Sequence, residues 1–326
     1  MGRDKVFVTR ELPPASLDRL AKHCEVEVWH EFLPPDYDVI LDKIGGLAGL
    51  LCLLTDRIDA PLMDAAPQIK VISNLAVGYD NIDIPAASQR GIPIGNTPGV
   101  LNETTADFAF ALLMATARRI PEARQYIQDG KWLTWHPTVL SGQDVFGATL
   151  GIIGCGRIGA AVMRRAQGFN MRILVSSLES ADEIRQLGGE KVSLDDLLGQ
   201  SDFVSLHVPL TDETHHLIGE RELKQMKPTA ILINTARGSV LDPQALYAAL
   251  RDGEILAAGL DVTEPEPIPL DDPLLTLDNC LVVPHIASAS VATRAKMAEM
   301  AVDNVIAGLQ GQPLPTCVNP EIYQRR

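Results

Sequence analysis

Gly154-Cys155-Gly156-Arg157-Ile158-Gly159 follows directly on the apolar run Leu150-Gly151-Ile152-Ile153 and leads into a helical pattern over 160–167, with a second apolar run opening at Met171. Three glycines at that spacing between a strand and a helix admit few folds. The first two permit a tight turn and close backbone approach to a pyrophosphate. The third lets helix and strand pack, and the helix N-terminus supplies N–H groups and positive potential. The segment therefore reads as the phosphate-binding turn of a dinucleotide site, with Gly154, Gly156, Arg157, Ile158 and Gly159 around the pyrophosphate. Cys155, inside the turn, reads as a packed small residue.

Apolar runs and helical patterns alternate around this turn, over 149–153, 157–169, 171–176, 203–208, 229–235, 255–262 and 280–283. An upstream series has the same rhythm, over 6–9, 16–23, 26–29, 37–44, 47–54, 61–66, 71–75, 84–90 and 93–96. Strands separated by helices are parallel with right-handed crossovers, so each series predicts its own doubly wound sheet. Beyond them, apolar residues at 291, 295, 298, 302, 305, 306 and 309 have the period of an amphipathic helix, free to return to the first sheet. The predicted fold is α/β with two doubly wound parallel-sheet domains. Residues 1–98 and 291–326 form a flavodoxin-like substrate domain, residues 99–290 an inserted Rossmann dinucleotide-binding domain, and a cleft is expected between them. The stretch 102–118 is apolar on every side from Phe108 to Met114, which predicts burial all round between domains or subunits. Trp132 and Trp135 follow in a loop-like stretch, where large aromatics often anchor interfaces.

Charge narrows the choice of partner. Against 28 Lys+Arg stand 42 Asp+Glu, a formal −14, so the overall field repels nucleic acid and anionic lipid, and neither is expected as a partner. An anionic ligand then needs a local cation. The apolar runs around Leu50 and Ala111 stop short of the roughly 18 residues that span a bilayer, and the first thirteen residues lack a signal-peptide core. Cysteines at 24, 52, 155, 280 and 317 form no CxxC pair and read as free thiols of a reducing cytosol, which predicts a cytoplasmic protein. Adjacent His215 and His216 would point to opposite sides of a strand or helix, with no HxxxH or cysteine partner, so no metal is expected.

Three segments end strands of the second series, where an open parallel sheet presents its ligands: Asn234-Thr235-Ala236-Arg237-Gly238, Gly259-Leu260-Asp261-Val262 and Pro284-His285-Ile286-Ala287-Ser288. An arginine, a carboxylate and a histidine on one cofactor crevice are the set needed to move a hydride to a 2-oxo acid. The arginine holds the substrate carboxylate, the histidine donates a proton, and the carboxylate keeps that histidine charged. The coenzyme is less determined. The second strand ends Val175-Ser176-Ser177-Leu178, with no carboxylate where the ribose 2′-hydroxyl is usually held and no arginine after it; Glu179 reads as a solvated loop charge. The serine hydroxyls of Ser176 and Ser177 tilt the balance slightly to NADPH, so NAD(P)H is expected with the preference open.

The order Gly154-x-Gly156-x-x-Gly159, Ala236-Arg237-Gly238, Gly259-Leu260-Asp261-Val262, Glu266-Pro267 and Pro284-His285 resembles that of the D-isomer-specific 2-hydroxyacid dehydrogenases. The run from Ala258 to Pro267, with Pro284-His285-Ile286, looks like the glyoxylate/hydroxypyruvate reductase branch, and the resemblance extends from Val6 to about Asn319. It implies NAD(P)H-dependent reduction of glyoxylate and hydroxypyruvate to glycolate and D-glycerate. Arg237 would bind substrate, His285 would be the acid/base and Glu266 its partner. Val77 and Gly78, in Asn74-Leu75-Ala76-Val77-Gly78, would take the substrate carboxylate on their N–H groups, with Ser288 nearby. Asp261 would meet the nicotinamide carboxamide, and Thr105, Val208, Pro209, Thr214, Thr235, Ala236, His285 and Ala287 would line the cofactor. A homodimer through the inserted domain is also implied. Ala287 stands where the family usually has glycine, which narrows the nicotinamide pocket. Other readings are a reductase of pyruvate or 2-ketogluconate, or a dinucleotide-sensing corepressor; a pure binding module has no need of Arg237, Glu266 and His285 together.

Overall fold

Short strands buried on both faces give the first unit its shape. In the computed structural model, which describes residues 2–325, β1 (Lys5–Val8), β2 (Glu25–Val28), β3 (Gly49–Cys52), β4 (Val71–Asn74) and β5 (Ile94–Gly95) pair in parallel in the order β2-β1-β3-β4-β5. The crossovers are α1 (Pro14–Ala21), α2 (Tyr37–Ile44), α3 (Ala60–Asp64) and α4 (Ile84–Gln89). This is the flavodoxin-like order expected from the sequence. Every residue of β3 and β4 is buried, as parallel strands covered on both faces should be. The unit takes in the chain up to Leu101 and again from Ser290.

Asn102–Ala289 forms the second unit. It opens with α5 (Asn102–Ala117) and α6 (Ile120–Gln128). Then come β6 (Thr149–Ile153), α7 (Arg157–Gln167), β7 (Arg172–Ser176), α8 (Ala181–Gln186), β8 (Glu190–Lys191), α9 (Leu194–Gln200) and β9 (Phe203–Leu206). The unit ends with α10 (Glu220–Gln225), β10 (Ile231–Asn234), α11 (Pro243–Asp252), β11 (Ala257–Leu260) and β12 (Cys280–Val282). The seven strands run in the order β12-β11-β10-β9-β6-β7-β8, parallel throughout. From β6 the chain winds outward to β8, then crosses back to place β9 on the other side of β6. That reversal opens a crevice at the carboxyl ends of β6 and β9.

The all-round apolar helix is α5, and much of its cover comes from the second unit itself. It lies within the second unit, against β10 and β11 on one side and α7 on another. A Cβ at Gly259 in β11 would stand 2.8 Å from Thr116 Oγ1 and 2.9 Å from Leu112 Cγ, so the helix rests directly on the strand. Sheet and neighbouring helix together cover Ala106, Ala109, Phe110, Leu112 and Leu113, while Asp107 and Ala111 face out.

The chain returns to the first unit as α12 (Val291–Leu309), which packs on α1, β3, β4 and β5. Asn304, fully buried, donates to Asn96 O at 3.1 Å and to Thr316 Oγ1 at 2.9 Å. Its side chain occupies the space that a Cβ on Gly95 would need. No helix among the described residues is long and apolar enough to cross a membrane.

Candidate active site

The glycine turn after β6 has the geometry its sequence requires. Gly154 sits at φ +91°, and a Cβ there would come within 2.8 Å of the His207 carbonyl and Val208 Cγ1 at the end of β9. A Cβ on Gly159 would stand 2.2 Å from Gly154 O, so the first turn of α7 packs straight onto the loop. Gly156 faces open space, and the N-terminus of α7, with Arg157 exposed on it, points along the same edge. Two buried hydroxyls of this unit, Thr105 Oγ1 on α5 and Thr235 Oγ1 after β10, have no hydrogen-bond partner among the described residues. Buried polar groups are rarely left so unless a ligand satisfies them. Turn and hydroxyls both fit a dinucleotide. Thr214 braces the Val208-Pro209 segment by donating to Pro209 O at 2.6 Å.

At the same sheet edge, β10, β11 and β12 deliver Arg237, Asp261 and His285. His285 Nδ1 lies 2.5 Å from Glu266 Oε1, with the ring 26% and the carboxylate 35% exposed, so the pair is partly sheltered yet reachable. His285 adopts φ +51°, a conformation costly for a residue with a Cβ. Asp261 holds it there. The Asp261 carbonyl accepts from the His285 N–H at 2.8 Å, and its carboxylate takes the Ile286 N–H at 2.7 Å and the Ala287 N–H at 2.9 Å. Burial raises the Asp261 carboxyl above the usual range, while the two N–H bonds and His285 oppose the rise. Asp261 is thus a brace for the histidine loop, a role the sequence did not disclose. Ser288 follows in the turn, half-buried.

The arginine loop is tied to the glutamate loop. Asn234 accepts from the Ala236 N–H at 3.0 Å and donates to Arg237 O at 2.8 Å, which fixes the backbone, and Arg237 Nη1 donates to Ala236 O at 2.8 Å. A Cβ on Gly238 would lie 1.9 Å from Thr263 O, so the residue after Arg237 rests on the backbone three residues before Glu266.

In the first unit, Val77 and Gly78 stand in the loop after β4. Ala76 O accepts from the Thr97 N–H at 2.8 Å and Val77 O from Asn96 Nδ2 at 2.9 Å. Trans peptide planes turn N–H opposite to C=O. The Val77 and Gly78 N–H groups therefore point away from Thr97 and Asn96, side by side.

Three features depart from the sequence reading. Glu179 is not a solvated charge: it is half-buried and accepts a hydrogen bond from Ser177 Oγ, which also accepts from the Cys155 N–H at 3.1 Å in the glycine turn. A carboxylate thus stands at the end of β7 beside Ser176 and Ser177. His207, given no role from sequence, sits at the crevice with Nε2 2.8 Å from Ser205 Oγ, and burial pushes its imidazole down to about 4. His215 and His216 do not diverge. His216 takes φ +48°, and the two rings stack with centroids 4.0 Å apart.

The family model for the NAD binding domain of D-isomer specific 2-hydroxyacid dehydrogenases matches residues 110–287. A glyoxylate reductase of Korarchaeum cryptofilum is 55% identical over 326 residues, 99% of this chain and 98% of that protein. The crystal structure of a Thermus thermophilus protein superposes with a TM-score of 0.92 at 47% identity, over 96% of this chain and 99% of that one. An NADPH-dependent glyoxylate/hydroxypyruvate reductase of Sinorhizobium meliloti, in complex with NADP and malonate, has a TM-score of 0.87 at 34% identity and covers 98% of each chain.

Proposed function

The chain belongs to the D-isomer specific 2-hydroxyacid dehydrogenase family of NAD(P)-dependent oxidoreductases, and from that premise we propose that it reduces glyoxylate to glycolate and hydroxypyruvate to D-glycerate. The observation that carries this reading is the 2.5 Å pair of His285 and Glu266 at the sheet edge that holds the dinucleotide turn. A binding module has no use for such a pair. The bound nicotinamide supplies a hydride; the remaining work falls to side chains. Ionised Glu266 can only accept a hydrogen bond, so Nδ1 of His285 carries its own proton and Nε2 delivers one to the substrate carbonyl oxygen. Arg237 clamps the substrate carboxylate through two parallel N–H bonds. Val77 and Gly78, in the loop after β4, offer backbone N–H groups suited to a carboxylate, and Asp261 keeps His285 at its strained φ.

Glu179 moves the coenzyme reading from a slight NADPH lean to NADH. Its carboxylate, held by Ser177, suits a ribose hydroxyl as acceptor and repels a 2′-phosphate. The second unit also carries Trp132, Leu133, Trp135 and Phe146, large apolar side chains between 63% and 89% exposed. This supports the expected homodimer through that unit.

The test is oxidation of NADH and of NADPH, followed by nicotinamide absorbance, with glyoxylate, hydroxypyruvate, pyruvate and 2-ketogluconate. Glyoxylate should give the highest kcat/KM, and Arg237→Lys should lower it more than about tenfold. A panel led by pyruvate or 2-ketogluconate overturns the substrate. If Arg237→Lys stays within about twofold, Arg237 does not hold the substrate carboxylate.

A further inference from the structure

Outside the crevice, the turn between β9 and α10 faces the loop after β11, and three side chains that the reaction does not use meet there. His216 Nε2 is 2.7 Å from Glu264 Oε2, and His215 Nε2 is 3.9 Å from Glu264 Oε1. One nitrogen from each ring and one carboxylate oxygen all lie within 4.8 Å of one another. Side chains of adjacent residues point this way only because His216 has φ +48°, and two backbone bonds hold the turn: His216 N–H to Ser239 O at 2.7 Å and His215 N–H to Thr211 O at 2.9 Å. The groups stay reachable from solvent, at 52%, 36% and 33% exposure for His215, His216 and Glu264.

We propose that His215, His216 and Glu264 form a binding site for a divalent transition-metal ion, with Zn²⁺ as the best fit. Two neutral imidazoles and one carboxylate are the donor set that such ions select, whereas Mg²⁺ and Ca²⁺ prefer all-oxygen shells. Bonds of about 2.0–2.2 Å in a tetrahedral site put neighbouring donors about 3.3 Å apart. His216 Nε2 lies 2.7 Å from one Glu264 oxygen and His215 Nε2 3.9 Å from the other, so side-chain rotations that unstack the two rings are needed to bring the three donors to that spacing. Water completes the fourth position, since the protein offers three donors. The balance is simple: Zn²⁺ enters, His216 Nε2 gives up the proton it donates to Glu264 in the free protein, and Nδ1 takes one from solvent, so the ring binds as neutral imidazole with no net proton released. The ion would join the Thr211–His216 turn to the loop that carries Glu266 two residues further on.

Equilibrium dialysis with ZnCl₂, and titration with CoCl₂ followed by its visible absorption, test this on the intact chain. About one equivalent should bind, with the strong visible bands of a four-coordinate Co²⁺ ion. His215→Ala, which leaves the His216–Glu264 bond in place, should weaken binding by about tenfold or more, and Glu264→Gln likewise. His285→Ala, at the separate pair with Glu266, should bind Zn²⁺ as the wild type does. If His215→Ala binds Zn²⁺ unchanged, or the wild type takes up none at about 1 mM, the site does not exist.

Discussion

Replacing Gly238 by alanine would test how closely Arg237 and Glu266 depend on one another. The added methyl would meet Thr263 O at 1.9 Å, Thr263 C at 2.1 Å and Glu264 N at 2.8 Å, all of them backbone atoms that no rotamer change can clear. Carbon and oxygen do not approach within about 3.0 Å, so one loop must retreat by about 1 Å. Arg237 immediately precedes the substitution and Glu266 lies three residues past Thr263, so the retreat pulls the substrate clamp away from the partner of the proton donor. A misplacement of about 1 Å at reacting groups costs on the order of 10²-fold in rate, or about 2.7 kcal/mol of transition-state stabilisation. Overpacking should also lower stability by roughly 1–3 kcal/mol. Steady-state kcat/KM for glyoxylate, with a urea unfolding curve and a fluorescence titration of NADH, separates the effects. The glycine turn is untouched, so NADH should still bind while kcat/KM falls about a hundredfold. A Gly238→Ala enzyme within about threefold of wild-type kcat/KM would show that the two loops move independently.

Other expectations follow from single contacts. His285→Ala should lower kcat by roughly 10²–10⁴-fold with NADH affinity little changed; a variant keeping more than half the wild-type kcat would remove His285 from proton transfer. Glu179→Ala should shift the ratio of kcat/KM for NADPH over NADH upward by about tenfold, equivalent to about 1.4 kcal/mol, and an unmoved ratio would place Glu179 outside coenzyme choice. His207 is held neutral in the fold, with its pKa pushed down to about 4, while the unfolded chain protonates near 6.5. As pH falls through that window the unfolded state takes up the proton first, so stability present above about pH 6.5 is lost toward pH 4. The loss should be roughly 2–3 kcal/mol, the half-buried ring being partly screened. Urea midpoints for wild type and His207→Gln should converge as pH drops; parallel curves would refute the assignment.

Signals fixed by local chemistry were open to reading in the sequence. The glycine turn, the bounds of α2 and α12, and the strand ends bearing Arg237, Asp261 and His285 all follow from periodicity and from the conformations glycine permits. β8 was not legible: Glu190 and Lys191 are two exposed residues at a sheet edge, with no apolar alternation to announce them. A helix apolar on all sides needs two neighbours, and periodicity alone does not say that for α5 a sheet face and α7 of its own unit are among them. Glu179 and His215-His216 turn on backbone direction. A bend that folds Glu179 onto Ser177, and a positive φ at His216, are set by packing that composition does not encode. Asp261 was visible as a polar strand end, but its hold on the Ile286 and Ala287 N–H groups depends on how β12 lies beside β11.

The return of α12 to the first sheet has a consequence for the order in which the protein can be made. A ribosome releases β1 to β5 first, yet the helix that covers β3 and β4, and the asparagine that fills the space beside Gly95, emerge only after the whole stretch between Leu101 and Ser290. At ~5–20 residues per second that delay is about 10–40 s. The second unit, continuous in the chain, is free to fold during it, while the N-terminal strands wait with an apolar face uncovered. Moving residues 290–326 to the front of the gene, joined to the present N-terminus, would abolish the wait and let both units form in the order of their synthesis.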